Sequence, residues 1–147
     1  MWLFKKQFFN QEEEKHIMKA IRHAEKESSG EVRLYIESHC KIPAAERAMA
    51  MFKKLKMHRT TERNGVLIYM AMIDKQFAIF GDEGIHQKLG FGFWTKEAET
   101  LKVHLSNGEI VEGICAAIQD IGQVLKEHFP PNGDDKNELS DKPVYGR

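Results

Sequence analysis

The sequence predicts an α/β fold, a small mixed sheet with a central β-hairpin and helices on both faces. Three stretches carry that prediction. Val66 to Ile73 is apolar at almost every position, and Asp74-Lys75-Gln76 separates it from a second apolar run, Phe77 to Phe80. An unbroken apolar run of this length fits a strand covered on both sides, and the polar break between two such runs fits a hairpin turn. Glu31 to Ser38 instead alternates, with Val32, Leu34 and Ile36 on one side and Arg33, Tyr35 and Glu37 on the other, a strand near a sheet edge. Ile110, Ile114, Ile118, Ile121 and Leu125 recur at three- and four-residue steps, the apolar face of a long helix.

The remaining elements follow in chain order. Trp2, Leu3, Phe4, Phe8 and Phe9 make residues 1–9 an aromatic arm expected to pack on the domain. Asn10 reads as an N-cap with Glu13 as its capping-box partner, and Glu12, Glu13 and Glu14 favour the positive end of a helix dipole. Ile17, Ile21 and Ala24 face inward, and Gly30 ends that helix as a residue tolerant of left-handed backbone. Pro43 opens the next helix at its first turn, with Ala45, Ala48, Met49, Phe52 and Leu55 as its buried face. Strand, helix, strand in this order gives a right-handed crossover and two parallel strands, and the hairpin strand from Phe77 then runs antiparallel. A short helix spans Ile85 to Leu89, an aromatic turn follows through Trp94, Thr95 caps the next helix, and Asn107-Gly108 breaks it. Pro130-Pro131 stops the last helix. The domain is thus expected over residues 10–129, with 130–147 a flexible tail from which Val144-Tyr145 can still dock.

Bulk composition narrows the function classes. With 147 residues the chain forms one domain with a real core. Lys+Arg 22 against Asp+Glu 22 leaves no basic footprint for nucleic acid. Cys40 and Cys115 are far apart, without the spacing of a zinc or redox motif. Charge arrives at Lys5, too soon for a signal peptide, and no apolar run reaches the ~20 residues of a membrane span. A cytoplasmic, monomeric protein without membrane or nucleic-acid partners is expected, open to a protein partner of unknown kind.

Topology decides which residues can meet. Parallel strands from Glu31 and Val66 bring their amino ends together, and the antiparallel strand from Phe77 finishes beside them. Glu31, Asn64, Asp82 and Glu83 should therefore converge, with Arg63, into an oxygen-rich patch suited to a cation; the alternative is a surface ion pair made by Arg63. The helix beginning near Ile85 adds N–H groups for an anion. Glu37, His39 and Asp74 gather at the opposite end as a second cluster. No hydrolase elbow, P-loop or His-Glu-x-x-His occurs, and no nucleophile stands out, so catalytic residues are not assigned.

Ser29-Gly30-Glu31-Val32-Arg33-Leu34-Tyr35, Arg63-Asn64-Gly65-Val66-Leu67-Ile68-Tyr69 and Phe77 through Gly81-Asp82-Glu83-Gly84-Ile85 resemble the TPM domain family, which includes a thylakoid lumen protein and a photosystem II repair protein. The resemblance covers about Phe8 to Phe129. It implies a three-layer α/β/α sandwich, divalent-cation binding, and an acid phosphatase activity associated with plant members. Under that activity Asp82, Glu83 and Glu31, assisted by Asn64, would hold the metal, and Arg63 would pair a phosphoryl oxygen of the substrate. Many relatives carry a signal peptide and a membrane helix; this chain resembles a small, free-standing bacterial subtype. Many also have Gly-Tyr-Gly where Gly81-Asp82-Glu83-Gly84 stands here. A non-enzymatic interaction module, using the aromatic arm and the tail, is the competing reading.

Overall fold

Four strands form one sheet in the order β3-β2-β1-β4 in a computed structural model that describes residues 8–90, 92–131 and 142–146. They are β1 (Glu31–Glu37), β2 (Gly65–Ala71), β3 (Gln76–Gly81) and β4 (Val144–Tyr145), and the helices are α1 (Gln11–Lys26), α2 (Ala44–Lys54), α3 (Glu83–Leu89), α4 (Gly92–Ser106) and α5 (Ile110–His128). β1 runs parallel to both β2 and β4, and β2 antiparallel to β3. The expected mixed sheet and crossover are both present.

Helices cover both faces, which explains the unbroken apolar run. Val32, Leu34, Ile36, Val66, Ile68 and Met70 pack on one side with Ile17 and Ile21 of α1 and Ile114, Ile118, Ile121 and Leu125 of α5. Leu67, Tyr69, Ala71 and Tyr35 point to the other side, against Ala48, Met51 and Phe52 of α2 and Met57 in the turn after it. β2 is buried at every position and so needs an apolar residue at every position. The result is a three-layer α/β/α sandwich.

Several local expectations shift. Only β2 of the hairpin is central; β3 is an edge strand with half-buried residues. β1 is interior, because Val144-Tyr145 docks beside it: Tyr35 pairs Val144 and Ile36 pairs Tyr145. Its alternation in sequence reflects two differently lined faces. On α2, Met51 is buried while Ala45 and Met49 are exposed, and Pro43 occupies the N-cap rather than the first turn. Glu27 caps α1, and the buried Ser28 hydroxyl donates to Ala24 and accepts from the Gly30 N–H. Gly30 makes room rather than a turn: a Cβ there would sit 2.8 Å from Leu125 Cδ1 and push that side chain aside. α4 begins at Gly92, ahead of Thr95, and its Trp94 packs on Gly81, where a Cβ would lie 2.6 Å from the indole.

The Asn10–Glu13 capping box forms in both directions, at 2.8 and 2.9 Å. Phe9 is buried and Phe8 packs on the same core; residues 1–7 of the aromatic arm lie outside the described residues, as do 132–141 and 147 of the tail.

Candidate functional site

At the amino end of the parallel strands the register pairs Glu31 with Gly65 and Gly81 with Val66. The residues flanking those pairs, Asn64 and Asp82, are thereby drawn to the same end as Glu31. Backbone bonds tie the segments: Glu31 N–H to Asn64 O at 3.3 Å, Asp82 N–H to Gly65 O at 3.0 Å, and Gly84 N–H to Arg63 O at 3.0 Å. That last contact is so close that a Cβ on Gly84 would lie 2.3 Å from Glu62 O and 2.6 Å from Arg63 O. Arg63 itself takes a left-handed backbone, φ 53°, which turns its side chain back across the hairpin end.

The guanidinium of Arg63 grips Asp82 with two bonds, Nε to Oδ2 at 2.7 Å and Nη2 to Oδ1 at 2.9 Å, and reaches Glu83 through Nη1 at 3.4 Å. This planar fork is the strong geometry for a carboxylate. The bonds to Asp82, and then the acidic charges, push the Arg63 pKa above its ordinary value. Asp82 is almost wholly buried; the side chains of Arg63 and Glu83 are 41% and 64% exposed. Glu31 and Asn64 are buried, and the Asn64 amide donates to Ser29 Oγ at 3.1 Å.

The first N–H groups of α3 are used internally. Asp82 accepts from Glu83 N–H at 2.8 Å, Gly84 N–H goes to Arg63 O, and Ile85 N–H goes to Asp82 O at 2.9 Å. The anion cradle expected at this helix start is therefore filled by the chain.

As a cation site the patch has the right chemistry: carboxylates, a carboxamide, and a guanidinium lodged where a positive charge is stabilised between Asp82 and Glu83. Arg63 stands in that position itself. Among the described residues, no group of three His, Cys, Asp or Glu side chains is arranged to hold a metal ion.

The cluster at the opposite end divides in two. Asp74 accepts from Cys40 N–H at 2.9 Å and hydrogen-bonds His39 Nδ1 at 2.8 Å. The His39 bond, then the Cys40 N–H, holds its carboxyl below the usual range. Glu37 turns inward under α2. Arg47 donates Nε to Oε2 at 2.8 Å and Nη2 to Oε1 at 3.0 Å, and the Tyr69 hydroxyl donates to Oε2. Burial works against the charge of Glu37, but the bonds from Arg47 and Tyr69 and the Arg47 charge outweigh it and hold the carboxyl low. Burial and the bond to Glu37 push the Tyr69 hydroxyl well up. This network borders an open cleft of about 630 Å³.

Sequence reasoning missed Arg47, although its position carried a signal. It falls in the inward stripe of α2 between Ala44 and Ala48, and a charge in a buried stripe needs a buried partner. Glu97 was missed for the same reason: it is buried between Trp94 and Leu101 on α4.

A search of curated proteins returns no match. Among solved structures, the NMR structure of BA42 protein from the psychrophilic bacterium Bizionia argentinensis is similar at TM-score 0.89 and 39% identity, over 96% of this chain and 97% of that one. The family model of the TPM domain matches residues 4–124. The chain belongs to the TPM domain family.

Proposed function

We propose that this TPM domain takes up a divalent cation, Ca2+ or Mg2+, at the amino-end patch, in competition with its own Arg63. The observation that carries the reading is the guanidinium held between Asp82 and Glu83. A place that stabilises one cation by charge and oxygen donors can accept another. Arg63 is 41% exposed and can swing outward. Asp82 and Glu83 would be the ligands nearest solvent; Glu31 and Asn64, buried at the same end of the sheet, would be the remaining oxygen donors.

Weak acid phosphatase activity belongs to the same proposal. A bound divalent cation would supply Lewis-acid polarisation of a phosphoryl oxygen. The chain's own contribution is Arg63: once off Asp82, its planar donor fork suits a second phosphoryl oxygen.

Titration with Ca2+ and Mg2+, followed by amide chemical shifts, tests the reading. The expected result is saturable movement at Glu31, Asn64 and Asp82 to Gly84, with tighter binding in Arg63→Gln because the competitor is gone. Amides that stay still at millimolar metal in both proteins would overturn it.

A second reading is a non-enzymatic interaction module. It is favoured by the bidentate bond through which Arg63 already satisfies both oxygens of Asp82. Phosphatase turnover at background for both the parent and Asp82→Asn would support the module; a loss specific to the variant would count against it.

A further inference from the structure

We propose that the outer edge of β3 pairs antiparallel with the same strand of a second copy of this chain, joining two sheets into one. Of the two sheet edges, β4 offers 2 residues and β3 offers 6. β3 also lacks the features that close an edge. Gln76 to Gly81 holds no charge and no proline, and its register with β2 runs residue for residue without a bulge.

The ladder fixes which groups point outward. Asp82 N–H donates to Gly65 O. The hydrogen-bonded pairs of β2 and β3 are therefore Gly65 with Asp82 and, at every second step, Leu67 with Phe80, Tyr69 with Ala78 and Ala71 with Gln76. Phe77, Ile79 and Gly81 turn their N–H and C=O groups away from β2. Gly81 is buried, whereas Phe77 and Ile79 are half-buried. Among the described residues, no backbone bond of Phe77 or Ile79 runs to a helix or loop.

A second β3 satisfies these groups when the twofold axis passes at Ala78. Phe77 then faces the partner's Ile79, and Ile79 faces the partner's Phe77, each pair exchanging both of its backbone bonds. The Ala78 side chains meet at the axis, in the pairing position with the closer backbone approach, where a small residue fits.

Charge favours a second copy over an unrelated strand. Exposed Lys75 precedes β3, and Glu83, with its side chain 64% exposed, follows it. In this register each Lys75 lies diagonally across from the partner's Glu83, within reach of a long side chain, and the twofold makes the pair again. Asp82 is already neutralised by the fork of Arg63.

Met49 supplies an apolar margin. α2 lies over this strand, with Phe52 meeting Phe80 edge-on at 4.8 Å between ring centroids. Arg47 of the same helix reaches Glu37 on β1, so Met49, about 200° further round, is on the β3 flank. Its side chain is an exposed apolar group, 47% accessible. A twofold perpendicular to the sheet sets the α2 helices on one face with these flanks toward each other. So short a ladder with so small a margin makes a weak, transient dimer.

The full chain is followed by sedimentation velocity and by amide shifts over about a hundredfold range of concentration. Expected is a monomer–dimer equilibrium with shifts concentrated at Lys75 to Gly81 and at Met49. Lys75→Glu should raise the dissociation constant about four- to 25-fold, taking each of the two exposed pairs at about two- to fivefold. Lys75→Glu/Glu83→Lys should restore most of the affinity, and Lys19→Gln on α1 should leave it unchanged. A chain that stays monomeric throughout would overturn the proposal and leave the edge to an extended segment of another protein. A dimer whose shifts lie elsewhere, or one indifferent to Lys75→Glu, would overturn it too.

Discussion

Replacing Arg47 with alanine removes the counter-charge of a carboxylate that the fold has buried. The side chain of Glu37 is 6% exposed and would keep only the Tyr69 hydroxyl. Breaking a buried pair from one side usually costs about 3–5 kcal/mol, because a charge stays behind without compensation. Here Arg47 borders an open cleft, so water can follow it out and partly hydrate the carboxylate. The cost therefore falls just below that range, about 2–3 kcal/mol at neutral pH. The pH dependence identifies the cause. In the parent, the Glu37 pKa is depressed, so its contribution is present above the unfolded value and lost as pH falls below it. In Arg47→Ala the folded pKa rises instead, and that carboxyl stabilises only while protonated. The penalty must therefore grow as pH rises from the carboxylate range to neutrality. Urea unfolding followed by circular dichroism, parent against variant at about pH 5 and about pH 7.5, measures it. Glu37→Gln should cost less at neutral pH, about 1–2 kcal/mol, since the single amide oxygen still accepts from Arg47 Nε and Tyr69 while the amide NH2 loses the bond from Arg47 Nη2. A penalty below about 1 kcal/mol, or one equal at both pH values, would refute the account of Glu37 as a buried charge held by Arg47.

Gly84→Ala should destabilise the fold by about 3 kcal/mol in the same assay, because its Cβ meets two backbone carbonyl oxygens that cannot move independently; a loss below about 0.5 kcal/mol would mean the loop at Glu62-Arg63 yields freely. Glu97 is buried on α4, and burial followed by the like charge of Asp120 pushes its carboxyl up to about 7. A raised carboxyl pKa favours the fold fully below the unfolded value, and that contribution is lost as pH rises through about 7. Glu97→Gln should accordingly gain on the order of 1–3 kcal/mol over the parent near pH 8 and nothing near pH 4; an equal gain at both would sink the assignment.

The layers of this fold were legible because they obey simple periods. The unbroken run at Val66, the alternation at Val32 and the isoleucine ladder of α5 each report what covers them. The meeting of Asn64, Asp82 and Glu31 at one end followed from strand direction alone. Other features were hidden because they depend on space rather than period. Nothing local distinguishes a glycine that turns the chain from one that makes room, as Gly30 does for Leu125 and Gly81 for Trp94. The partnership of Glu37 with Arg47 across ten residues, and the choice of Met51 over Met49 as the buried methionine, depend on the rotation of α2 above the sheet. The phase of the helix decides both, and a stripe of alanines and methionines leaves that phase loosely marked.

The docking of Val144-Tyr145 beside β1 has a consequence for the order in which the chain is made. β1 ends at Glu37 and its cover arrives with Val144, 107 residues later by subtraction of the two numbers. At ribosomal speeds of about 5–20 residues per second, that interval is roughly 5–20 s. β2 can pair with β1 early, but the other flank of β1 waits through the synthesis of four helices, α2 to α5, with its backbone N–H and C=O groups unclaimed. An apolar strand in that condition is a template for a neighbouring chain. The strand is brief, yet the Tyr145 hydroxyl bonds Glu14 of α1 and Gly146 N–H donates to Ile36 O, so the late segment is fastened by both side chain and backbone. It serves as the clasp that ends the vulnerable period of a nascent chain.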